Sequence, residues 1–158
     1  MKELELITKY LIDNKLKLST VESCTGGLLS SAFTDISGSS SFITLNLVTY
    51  SNEAKHKILN IDNFILNNYG AVSPECAENM AEGLYNLTHS DICISTTGIA
   101  GPTGGSQDKP VGLMYSMIRT PIQKELFTIN APQYLNRIQT KKYFVEHTIL
   151  NLYNFLGI

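Results

Sequence analysis

Two glycine-bearing segments and one lysine carry the residue types that covalent chemistry needs. The run Glu22-Ser23-Cys24-Thr25-Gly26-Gly27 places two hydroxyls, a thiol and two glycines just before an apolar stretch from Leu28 to Phe33. At the first turn of a helix such a run makes an anion cradle, because backbone N–H groups point outward and glycines let a ligand approach them. The same spacing also serves a plain Ser or Thr N-cap, with glycines for close packing of helix on sheet. Cys24 at a helix N-terminus has the setting of a lowered thiol pKa and a thiolate nucleophile, and equally that of a small buried side chain. The second segment, Gly98-Ile99-Ala100-Gly101-Pro102-Thr103-Gly104-Gly105, follows an apolar strand and is either a ligand-wrapping loop or a surface connection. Neither segment is a P-loop or a dinucleotide fingerprint, since no Gly-Lys-Ser/Thr and no G-x-G-x-x-G occurs.

Lys55 is notable for its electrostatics. If Asn52 caps the helix it opens, Lys55 lies in the first turn, where the dipole and neighbouring Lys57 disfavour an ammonium. A lysine that acts as a neutral base, or that meets an anion, is placed this way; so is one that points into water. The three histidines, His56, His89 and His147, have no metal-ligand spacing and do not support a Ser-His-Asp triad.

These groups must be positioned by elements legible as periodicity. Leu4, Ile7 and Leu11 predict an amphipathic helix between Glu3 and Asn14, and Lys15 to Val21 alternates like a strand. Phe42 to Tyr50 favours a strand. Ser73-Pro74-Glu75 opens a helix reaching about Leu87. Ile92 to Thr97 reads as a buried strand, Gly98 to Pro110 as a loop, and Val111 to Ile118 with Lys124 to Ile129 as a hairpin. Beyond Pro132, apolar residues from Leu135 to Leu156 predict a long closing helix. The alternation defines a three-layer α/β/α sandwich with a mixed sheet, in which functional groups gather at strand-to-helix turns.

Composition narrows the function class. With 158 residues and 43% hydrophobic content the chain is read as one domain, residues 1–158, able to bury a core without disulfides. A net charge of -2 with scattered basic residues speaks against nucleic acid as a partner. No apolar run approaches the ~18 residues of a membrane span. Three widely spaced cysteines suggest no disulfide framework, so a cytoplasmic location is expected.

Taken together, the Glu22–Gly27 run, Asp35 with Gly38-Ser39-Ser40, Val48 to Lys55, Gly70-Ala71-Val72-Ser73, Thr97 to Pro102, and Lys109-Pro110-Val111-Gly112 resemble the CinA C-terminal domain family in order and spacing. That resemblance implies a nicotinamide mononucleotide deamidase, converting the carboxamide to nicotinate mononucleotide and ammonia, in a stand-alone form starting at Glu3. Amide hydrolysis needs a nucleophile, a base and donors for the oxyanion. The resemblance implies Ser40 as nucleophile, Lys55 as general base and Tyr50 as relay, with Ser23 as rival nucleophile and Ser39 as a further candidate. It implies that Thr25, Gly26 and Gly27 hold the phosphate with Arg137, and that Thr97, Gly98 and Gly101 line the ring or ribose; with no metal-ligand cluster in the sequence, hydrolysis without metal or other cofactor is expected. Asn46 stands where a glycine is usual and Gln133 where an arginine is frequent, and both bear on phosphate affinity. A homo-oligomer is expected, as for many small α/β enzymes. The alternatives are an interaction protein without catalysis, or an amidase for another pyridine carboxamide.

Overall fold

The computed structural model describes residues 1–158. Six helices, α1 (Lys2–Asp13), α2 (Leu28–Thr34), α3 (Asn52–Leu59), α4 (Asn63–Asn68), α5 (Pro74–Thr88) and α6 (Arg137–Leu156), surround five strands, β1 (Leu18–Glu22), β2 (Ile43–Val48), β3 (Ile92–Gly98), β4 (Leu113–Arg119) and β5 (Lys124–Asn130). The sheet order is β2-β1-β3-β4-β5. β1 runs parallel to both β2 and β3, while β3–β4 and β4–β5 are antiparallel. This is the mixed sheet expected from the β4–β5 hairpin.

Each strand sends alternate side chains to opposite faces. Leu18, Ile92, Ile94 and Ile118 meet Ile7 and Leu11 of α1, Leu29 and Phe33 of α2, and Ile149 and Leu152 of α6. Val21 and Cys93 point the other way, onto Leu59 of α3, Leu66 of α4, and Met80 and Leu84 of α5. The result is three layers with an apolar core on each side of the sheet.

Element ends differ from the sequence reading where a local bond decides them. Ser51, not Asn52, caps α3, its hydroxyl accepting from Ala54 N–H at 3.0 Å. β4 begins at Leu113, because Gly112 at φ +90° breaks the extended run. The short α4 was not foreseen: Phe64, Ile65 and Leu66 are contiguous rather than periodic, and Asp62 starts the turn by accepting from Phe64 N–H at 2.8 Å.

Gly83 is where α5 crosses α3. A Cβ there would lie 2.4 Å from the Leu59 carbonyl oxygen and 2.8 Å from its Cβ. Gly83→Ala is therefore expected to lower stability by about 1–3 kcal/mol through overpacking, despite alanine's better helix propensity. Denaturant unfolding checks this, and a stabilised variant would show that the two helices separate easily.

Candidate active site

Because β1, β2 and β3 are parallel, their C-terminal ends share one edge of the sheet. There the chain opens a cleft of about 250 Å³, lined by Ser23 after β1, Tyr50 and Lys55 after β2, Thr97 and Gly98 at the end of β3 with Ile99, Ala100, Thr103 and Gly104 beyond it, and Arg137 at the start of α6. Ala71 and Val72, ahead of α5, form its remaining wall.

Lys55 is 1% exposed although it belongs to a short surface helix. Its Nζ lies 2.8 Å from the Thr49 carbonyl, 3.4 Å from the Tyr50 carbonyl and 3.1 Å from Ser23 Oγ. Two carbonyls can take the two protons of a neutral amine, which leaves the lone pair for the Ser23 hydroxyl. Burial lowers the Lys55 pKa below the ordinary 10.5, and the nearby Cys76 and Cys24 thiols oppose this only in part. The cause is thus desolvation rather than Lys57, which is exposed and paired with Glu53 at 2.5 Å. Ser23 is held from behind, its N–H donating to Thr96 O at 3.0 Å. The N–H groups of Cys24 and Thr25, which follow it, donate to no other residue.

Arg137 closes the mouth. It donates to the Gly101 carbonyl at 2.6 Å and to the Tyr50 hydroxyl at 3.1 Å, tying the third turn to the second. The Tyr50 side of this bridge is 61% exposed, at the rim. Thr97 Oγ1 donates to Ala71 O at 2.6 Å. Gly98 lets the loop leave β3 against β4, since a Cβ there would sit 2.6 Å from Leu113 O.

The structure brings together Ser23, Tyr50, Lys55, Thr97, Gly98, Gly101 and Arg137, and leaves Ser39 and Ser40 elsewhere. Those two lie in a 3-10 turn, Ser39–Ser41, that precedes β2, where Leu18 at the start of β1 donates to Phe42 O at 2.8 Å. Ser40 is therefore at the N-terminal edge of the sheet, separated from Lys55 by the length of β2, roughly 20 Å at ~3.3 Å per residue. Within one chain Ser40 and Lys55 do not form a pair. Ser23, the rival to Ser40 in the sequence reading, is the serine that lies beside Lys55.

The phosphate cradle also differs from the sequence reading. The buried Glu22 carboxylate accepts from Gly27 N–H and Leu29 N–H at 3.1 Å, Ser30 N–H at 2.8 Å and Ser30 Oγ at 2.5 Å. An internal anion thus fills the first turn of α2, and Gly26 and Gly27 are freed from holding phosphate through that turn. Thr25 is fully buried, its hydroxyl bonded to Thr96 Oγ1 at 2.8 Å. Cys24 is no thiolate: burial, aided by the Glu22 charge, pushes its thiol up to about 12.

Asn46 accepts from Thr20 Oγ1 at 2.9 Å within the sheet, and Gln133 donates to Val111 O at 2.7 Å. Both have structural partners. Sequence reasoning missed the role of Glu22, although its acidic side chain one step before Ser23 and ahead of a helix was a usable signal. It also missed Lys109, whose Nζ donates to Tyr69 O at 2.6 Å and ties the loop after β3 to the wall before α5. No group of three His, Cys, Asp or Glu side chains is placed to hold a metal ion, and no helix is long and apolar enough to cross a membrane.

Fold and cleft define a three-layer α/β protein with a buried serine–lysine pair at the carboxyl edge of its sheet. The CinA C-terminal domain profile matches residues 2–156, and the chain belongs to that family. It is 48% identical over 122 residues to a CinA-like protein of Endomicrobium trichonymphae, covering 77% of this chain and 28% of that protein. The chain spans about a third or less of the length of the curated relatives it matches. Among solved structures it superposes on the competence damage-inducible protein A of Klebsiella pneumoniae with a TM-score of 0.93 at 28% identity, over 99% of this chain and 96% of that one. The competence/damage inducible protein CihA of Agrobacterium tumefaciens gives 0.91 at 33%, over 96% and 92%.

Proposed function

We propose that this domain is an amidohydrolase acting on the carboxamide of nicotinamide mononucleotide, with Ser23 as nucleophile and Lys55 as general base. The observation that carries this reading is the buried lysine with its Nζ 3.1 Å from Ser23 Oγ, at the floor of a cleft. Lys55 takes the hydroxyl proton as Oγ bonds to the amide carbon. The N–H groups of Cys24 and Thr25 stand next to the nucleophile as donors for the oxyanion. The C–N bond then breaks and the proton passes from Lys55 to the leaving nitrogen, which departs as ammonia. Water repeats the cycle on the acyl-serine, giving nicotinate mononucleotide and restoring the amine. Tyr50, bridged to Arg137, orients the substrate at the mouth.

Ammonia release from nicotinamide mononucleotide by the purified, chelator-treated protein tests this. Ser40→Ala is expected to keep kcat/KM within about threefold of the parent, since Ser40 touches neither cleft nor base. Loss of turnover in Ser40→Ala with retention in Ser23→Ala would return the nucleophile to the other edge. A folded parent with no turnover would favour an interaction role.

A further inference from the structure

The cleft's evident positive groups are already engaged. Glu22 fills the first turn of α2, Lys55 is enclosed against Thr49 O and Ser23, and the Arg137 fork is divided between Gly101 O and the Tyr50 hydroxyl. A nucleotide phosphate brings nearly two negative charges, and Arg137 alone meets them with the donors it has left.

Lys141 stands one helical turn after Arg137 on α6, so the two side chains leave the same face of the helix. Its Nζ lies over the Gly26 turn, 3.3 Å from where a Gly26 Cβ would be. That turn begins at Ser23, whose carbonyl accepts from Gly26 N–H at 3.0 Å. Lys141 is half buried, yet it enters no ion pair and no side-chain hydrogen bond. Its charge contributes to the field at Cys24, which lines the cleft. Lys142, its neighbour in sequence, lines a different groove, with Met1 and Glu146.

We infer that Lys141 is a specificity-determining residue whose ammonium pairs with the phosphate monoester of the substrate, beside Arg137 and above Gly26. This rests on the nucleotide amidase reading of the same cleft. In this assignment the carboxamide lies at Ser23 and the far end of the nucleotide just outside the cleft, over the exposed Gly26, where the Lys141 ammonium stands. The contact gives charge-assisted hydrogen bonds to a dianion at a partly desolvated position.

The test compares nicotinamide mononucleotide with nicotinamide riboside, which lacks only the phosphate, in the parent, Lys141→Met, Lys141→Arg and Lys142→Met proteins. Lys141→Met is expected to raise KM for the nucleotide by about tenfold, with kcat within about twofold and riboside turnover unchanged. Lys141→Arg should restore most of the affinity, and Lys142→Met should match the parent on both substrates. A Lys141→Met protein with unchanged KM for the nucleotide, or with equal losses on nucleotide and riboside, overturns the assignment. Calorimetric binding of the nucleotide separates the two readings if the parent releases no ammonia. Binding weakened about tenfold by Lys141→Met then keeps the phosphate contact while the amidase fails, and equal or absent binding overturns the contact as well.

Discussion

Ammonia release is expected to fall by roughly 10³-fold or more when Lys55 becomes Met, and by a similar factor in Ser23→Ala, with the double variant little worse than either. The two side chains act as one unit: without an amine to take its proton, Ser23 is an ordinary weak nucleophile. Lys55→Arg should fail as completely, since a guanidinium cannot give up its proton in this pH range. In the parent, kcat/KM should rise with pH as the Lys55 amine loses its proton and level off below 10.5, because burial lowers its pKa. A profile that inflects at the ordinary lysine value, or a Lys55→Met protein that keeps turning over, would remove the lysine from the chemistry.

The same burial has a stability consequence of definite sign. Lys55 gives up its proton more readily in the folded chain than in the unfolded one, so the unfolded state binds more protons between the two pKa values. Stability contributed by this residue therefore rises with pH through that window, and below it burial of the ammonium is a cost. Lys55→Met should accordingly keep or exceed the parent's Tm, which separates a lost base from a lost fold. A lower Tm would mean that the bonds to the Thr49 and Tyr50 carbonyls outweigh desolvation.

Glu22→Ala carries the largest expected effect on folding. Its carboxylate is fully buried and serves the N–H groups of Gly27, Leu29 and Ser30 together with the Ser30 hydroxyl. Truncation leaves those donors without their protein acceptor, a loss of about 3–5 kcal/mol. For a chain of this length that is a fall in Tm of roughly 10 °C. Glu22→Gln should lose less, because one oxygen still accepts while the new NH₂ group faces donors. A Tm within a degree or two of the parent for Glu22→Ala would show that α2 holds its first turn by packing of Leu29 and Phe33 alone.

How far the sequence was legible follows from where each signal originates. Periodicity located α1 and α6 because Ile7, Leu11, Ile149 and Leu152 face one core, and such patterns are local, while α5 was located by its Ser73-Pro74-Glu75 start. The turn after β1 was legible as a site because small and polar residues interrupt apolar runs there. Its occupant was not: nothing local in Glu22-Ser23-Cys24 says that the acid folds back onto α2 rather than leaving the turn to a ligand. Ser40 and Ser23 both stood in matching motifs, and only the parallel pairing of β1 with β2 puts one at each end of the sheet. The lysine's burial depends on residues distant from it, Ser23 among them, and a first-turn position alone is compatible with full exposure.

Arg137 closes a cleft whose Ser23 is near the other end of the chain, and this couples ligand occupancy to completion of the whole fold. A growing or truncated polypeptide that lacks α6 carries the residues of β1 to β3 with Ser23 and Lys55, but has no bridge from Gly101 to Tyr50. Binding energy is then available only to the fully assembled domain, so a ligand bound in the cleft is expected to stabilise against global unfolding rather than local opening. Hydrogen exchange should register this as slower exchange of the most protected amides in β1 and β3, including those around Leu18 and Ile92 at the end of the sheet away from the cleft.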